Sequence, residues 1–203
     1  MEFGVSPATT RRTVLAKGVG GILSFSLAGC VTAPDGPSDA DRRVRLIDHD
    51  DRPDIPASPS VEILTAKPSA SDPARLRVTV TNDSNAAIQV GEERAIVFAY
   101  VHSVAQPGLV LLPVDGSDYP AVRPGCWRLT DSIAIAEYYG VVDLQPGESI
   151  DRTVGVWADP EVSSNCLPTG TYRFETTYRG GPDVETVGEP EWDAIWGFDL
   201  RVE

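Results

Sequence analysis

Few side chains in this chain of 203 residues have the type and spacing that chemistry needs. His49 sits among Asp48, Asp50, Asp51 and Asp54. Such a set holds a hard cation only where the backbone fixes the oxygens in space, and the proline- and aspartate-rich surroundings read as a solvated acidic segment instead. His102 ends an apolar run, as either a general base or a structural imidazole, and no partner in sequence favours the base. Asp115 with Asp118, or Glu189 with Glu191, could act as paired carboxylates, but 30 acidic residues produce such pairs by composition alone. Asp115-Gly116-Ser117-Asp118 lacks the spacing of a calcium loop. The cysteines and histidines are too few for a closed zinc site, and the domain has no phosphate-binding glycine loop and no Gly-x-Ser-x-Gly elbow. The expectation is a chain that is not an enzyme and uses no cofactor or metal. Two surface chemistries stay open. Asn82-Asp83-Ser84 is a glycosylation triplet and, equally, good turn chemistry. Trp192 and Trp196, four apart, either pack a core or anchor a protein- or carbohydrate-binding surface.

The most specific pattern lies in the first thirty residues. Arg11, Arg12 and Lys17 form a positive start, Val19 to Leu27 forms a short apolar run softened by Gly20 and Gly21, and Leu27-Ala28-Gly29-Cys30 follows. The run is far shorter than the roughly 20 apolar residues a spanning helix needs. The paired arginines resemble a twin-arginine export signal, with Val14 and Ala16 where that family places Phe and Lys. The second element resembles a lipobox. This resemblance implies cleavage before Cys30, a lipid on its thiol, and a mature protein held at the external face of the cytoplasmic membrane. Residues 1–29 are therefore set aside as a signal peptide.

With Cys30 lipidated, Cys126 and Cys166 are left as a pair, as suits an oxidising exterior. A bridge would close a loop of about 40 residues, worth roughly 4 kcal/mol in the chain-entropy account. The alternative, a reactive thiol, has no histidine near either cysteine in sequence.

Residues 1–29 hold three basic residues and one acidic one, so the remainder carries 14 basic against 29 acidic residues, a net charge of −15. Lys67 is its only lysine. This balance resembles proteins of salt-loving archaea, whose carboxylates hold hydration while brine screens their repulsion. With no basic cluster along the sequence, nucleic acid is not the expected partner.

Residues 30–60 are dense in Pro and Asp, with Val44, Leu46 and Ile47 as their only sizeable apolar cluster, and read as a disordered tether. From residue 61 to 203 the period becomes two. Leu76, Val78 and Val80 alternate with Arg77, Thr79 and Thr81; Tyr172, Phe174, Thr176 and Tyr178 alternate with charged or polar residues; Phe198, Leu200 and Val202 do the same. Val61–Ala66, Ala87–Val90 and Ile150–Trp157 read as further strands, and Ala95–Val101 and Leu109–Leu112 as central ones. Ser132–Gly140 fits a strand or a short helix. Leu144-Gln145-Pro146-Gly147-Glu148 before a strand reaching Trp157, then Gly170-Thr171-Tyr172-Arg173-Phe174, resembles the end of an immunoglobulin-like sandwich, and the order of elements is similar to that of the intracellular proteinase inhibitor family. The resemblance implies an all-β, antiparallel immunoglobulin-like β-sandwich. The functional expectation is a non-catalytic, lipid-anchored surface protein, a binding or envelope-associated module with an unknown protein or carbohydrate partner. An inhibitor-like domain is the alternative and an enzyme of unknown class the third reading.

Overall fold

The computed structural model describes residues 39, 41–93, 96–115, 119, 121–133, 139–163, 165–181 and 190–203. Arg11, Arg12 and Cys30 lie outside them, as do Asp118 and Glu189.

Alternating side chains build two layers. The first sheet holds β1 (Val44–His49), β4 (Ile88–Glu93), β9 (Tyr139–Leu144), β11 (Gly170–Gly181) and β12 (Trp192–Val202) in the order β1-β12-β11-β4-β9. The second runs β2 (Ala57–Thr65), β3 (Arg75–Asn82), β10 (Ser149–Ala158), β6 (Leu109–Pro113), β5 (Val101–His102). The short β7 (Ala121–Arg123) and β8 (Cys126–Leu129) form a hairpin beside β10, and β8–β10 is a parallel contact among antiparallel ones. The chain is thus the all-β sandwich that its period-two segments specify. In β3, Leu76, Val78 and Val80 are fully buried, while Arg77 points to solvent and pairs with Glu62 and Asp151. In β11, Tyr172, Phe174 and Tyr178 face inward; Phe174 stacks on Phe198, and Tyr178 meets Phe98, which also packs on Trp196 and Phe198. A fully buried aromatic or aliphatic side chain stabilises by about 1.5–3 kcal/mol, so this aromatic group dominates the core.

Two expectations need correction, and a third resolves in part. The tether does not extend to residue 60. β1 pairs with β12 from Val44↔Val202 to His49↔Phe198, and Ile55, Ala57 and Pro59 are buried. Pro and Asp density misleads here because both strands are sheet edges. An edge tolerates a missing N–H, as at Pro59, and leaves outward acids hydrated. The folded domain therefore begins near Asp39, not at residue 61.

Second, the apolar run read as a central strand over 95–101 is not one. Ile96–Phe98 is a buried turn, Ala99 makes a single bridge, Phe98 (φ 49°) and Tyr100 (φ 65°) lie in the left-handed region, and Val101–His102 pairs as strand. The run is uniformly apolar because it crosses between the layers. Third, of the ambiguous 132–140 segment, Tyr139 and Gly140 open β9, and 134–138 lie outside the described residues.

Candidate functional site

The pole where the chain enters the domain is tied together by one carboxylate. Asp39 accepts backbone N–H bonds from Trp127 (2.6 Å) and Leu167 (2.7 Å), each the residue after a bridged cysteine. Its own N–H donates to the Gly125 carbonyl at 2.6 Å. Cys126 and Cys166 are bonded, with Cα atoms 4.9 Å apart, and both are buried. The expected pair is thus joined, and Asp39 clasps both its flanks. Burial pushes the Asp39 carboxyl upward against the two N–H donors and the nearby Arg42 and Arg123, which favour its charged form. Its carboxylate and the two sulfurs lie within 4.8 Å of one another, but bridged sulfurs carry no thiolate for a metal.

His102 lines two hollows. In one, about 270 Å³, it sits with Glu93, Glu175, Thr177, Val104 and Ile195, the last two being 50% and 63% exposed. In the other, about 200 Å³, it faces Asp159 with Ser132, Ile133 and Glu161. His102 Nδ1 lies 3.1 Å from Asp159 Oδ2, the arrangement that fixes an imidazole's orientation. Among the described residues no nucleophile is hydrogen-bonded to it. The Ser132 hydroxyl donates to Glu161 Oε1 at 2.6 Å rather than to the imidazole. The arrangement can orient a polar group and cover an apolar one, which is the work of a binding recess.

A buried acid was not foreseen. Glu92 is fully buried, and burial pushes its carboxyl up to about 8 against a Phe98 N–H donor, a Thr176 hydrogen bond and nearby Arg152. Glu92 Oε2 and Tyr178 Oη are both buried with no hydrogen-bond partner among the described residues. Arg152 Nε donates to the Ile96 carbonyl at 2.7 Å, so Glu92 and Arg152 hold the same crossing turn from opposite ends. Strand register carries the signal. Ile88, Val90 and Glu92 share one face of β4, and the first two are core residues.

Two readings that the sequence leaves open resolve away from a surface site. Asn82 is fully buried, its Nδ2 donates to the Ala86 and Leu144 carbonyls at 2.8 and 2.9 Å, and its Oδ1 accepts from the Ser84 N–H. The nitrogen that would carry a sugar is thus consumed in holding a turn, and the turn-chemistry reading is the one realised. Trp196 is 1% exposed and packs on Phe98 and Phe198, with its indole N–H donated to the Asp50 carbonyl at 3.1 Å. Trp192 is half-buried and lies over Gly180, where a Cβ would stand 2.4 Å from its ring. On β12 both indoles face the core side, because 192 and 196 share a strand face. They form no exposed binding surface. Among the acid pairs, Asp115 and Glu191 are exposed. His49 is exposed on β1, with Nδ1 3.0 Å from the Asp50 carbonyl, and it belongs to no cluster of three or more metal-ligating groups among the described residues.

No protein-family model matches the chain, and no curated protein matches it.

Proposed function

We propose that the chain is an exported, lipid-anchored, non-catalytic protein of the cell surface, acting as a binding or envelope-associated module of an acidic, salt-adapted exterior. The membrane is its partner through the lipid on Cys30; a protein or carbohydrate, and not nucleic acid, is the second. The observation that carries the reading is the closed, buried Cys126–Cys166 bridge in a chain whose remaining cysteine ends Leu27-Ala28-Gly29-Cys30. A bridge of this kind belongs to an oxidising compartment. The uncoupled Ser132 supports a non-catalytic role, and the recess beside His102, with Val104 and Ile195 exposed at it, is the surface a partner would use. Cys30→Ser tests the anchor. The variant is expected to leave the membrane fraction or to remain uncleaved, and a mature, cleaved variant still fractionating with membranes would refute it. Arg11→Lys with Arg12→Lys tests the route; export is expected to stop, and undiminished export assigns it to the general secretory pathway.

A further inference from the structure

The basic residues are scattered in sequence, but the fold gathers several at one end. Asp39 is bonded to Gly125, the Arg42 N–H donates to the Asp39 carbonyl, the Val44 N–H to Ala66, the Gly125 N–H to Ala70, and the Trp127 indole to Ser69. Residues 39, 41–43, 66–70 and 123–126 therefore form one pole, and it carries Arg42, Arg43, Lys67 and Arg123. Its acids are Asp41, exposed, Asp39, buried, and Glu203, whose backbone pairs with Arg43 and whose carboxylate is taken by Arg45 at 3.0 Å; Asp72 at its margin is paired with Arg75. The opposite pole joins the Asp83 N–H to Pro56, the Asn82 N–H to Glu148 and the Gly147 N–H to Asn82. It carries Asp54, Asp83 and Glu148, with Arg52 paired to Asp83. A strongly acidic domain thus has a cationic end, and that end is where its N-terminal segment enters.

Only eight residues separate Cys30 from Asp39. At about 3.6 Å per residue they reach at most about 32 Å. A lipid on Cys30 therefore keeps the Asp39 end within about one domain length of the bilayer, where attraction between basic side chains and anionic headgroups acts. We propose that the pole holding Asp39 lies against the membrane, with Arg42, Arg43, Lys67 and Arg123 over anionic lipid headgroups and the acidic pole turned outward. This rests on the lipid anchor proposed above. It makes the cationic pole a lipid-binding surface and leaves the His102 recess on the body of the domain.

The test uses the lipidated mature protein in vesicles at about 0.15 M salt, where the Debye length is about 8 Å. A photoreactive benzoylphenylalanine is placed at Ala70 on the cationic pole or at Asn85 on the acidic one, both exposed. In vesicles of mixed phosphatidylglycerol and phosphatidylcholine, lipid adducts are expected at position 70 and not at 85, and they fall in phosphatidylcholine alone. The combined change Arg43→Gln, Lys67→Gln and Arg123→Gln is expected to bring position 70 down to its phosphatidylcholine level. Neutralising Arg52, Arg77 and Arg179 instead, an equal change in net charge, leaves it unchanged. Equal labelling at 70 and 85, or equal losses from the two triple variants, overturns the orientation. The mass of the Cys30 peptide from the same sample separates the two claims: lipid present without adducts at 70 removes the orientation alone, and lipid absent removes the anchor and the orientation together.

Discussion

Glu92 sets the clearest pH signature at the level of single residues. Its carboxyl is held near 8 in the fold by burial, against about 4.5 when free, so the folded state keeps its proton through the neutral range. The folded pKa is the raised one. Its contribution to stability is therefore full below about 4.5 and is lost as pH rises through about 8. The unfolding midpoint is expected to fall between those limits, by a few kcal/mol equivalent. Glu92→Gln, which keeps an oxygen for the Phe98 N–H, is expected to flatten that slope and to be the more stable form above pH 8. Burial also pushes Asp39 upward, so some slope at the acid end remains in the variant. Guanidinium unfolding across a pH series checks this; equal slopes in the two proteins would place the Glu92 carboxyl in water. Asp39 makes a second, independent claim. Asp39→Ala leaves the buried Trp127 and Leu167 N–H groups unpartnered, which costs roughly 2–5 kcal/mol. Asp39→Asn keeps one acceptor and is expected to lose less. If Asp39→Ala unfolds at the wild-type denaturant concentration, the clasp contributes nothing.

Among the elements, β1 decides where the domain begins. Val44 is 1% exposed and pairs with Val202 at the far end of the chain, and Leu46 pairs with Leu200. Val44→Asp puts a carboxylate into that seam and is expected to cost about 3 kcal/mol or more, read as a lower unfolding midpoint. A disordered tether would tolerate it without change. The strands most legible from sequence were those with four or more alternating positions, such as β3 and β11, where a one-residue slip would turn every apolar side chain outward. β1 shows only Val44 and Leu46 before a bulge at Ile47, and its partner lies about 155 residues away, so neither period nor local turn announces it. The crossing turn at Ile96–Ala99 fails for the opposite reason. Its apolar content marks burial, and burial alone does not distinguish a strand from a turn passing between layers. The disulfide was legible because two cysteines were left after Cys30; Asp39, which holds its flanks, was not, because the contact joins residues 88 and 128 positions apart.

At the scale of the whole molecule, the charge is uneven in a way a net value hides. Residues 30–203 carry −15, yet Arg42, Arg43, Lys67 and Arg123 meet around the point where the N-terminal segment enters the fold. The sequence contains no basic run, since these residues come from three separate segments that the sandwich brings to one end. The same end holds the bridge between Cys126 and Cys166, 40 positions apart in sequence. Loss of that bridge is expected to cost roughly 4 kcal/mol, less where packing of Trp127 and Leu167 already restrains the loop. The proposed anchor and the bridge both bear on the compartment in which the protein lives. The most direct measurement is mass spectrometry of a non-reduced tryptic digest of the protein extracted from native membranes. The account predicts an N-terminal peptide beginning at a lipid-modified Cys30 and ending at Arg42, together with a peptide pair joined through Cys126 and Cys166. An intact Met1–Gly29 segment with Cys30 as a free thiol, or Cys126 and Cys166 recovered unjoined, would contradict it.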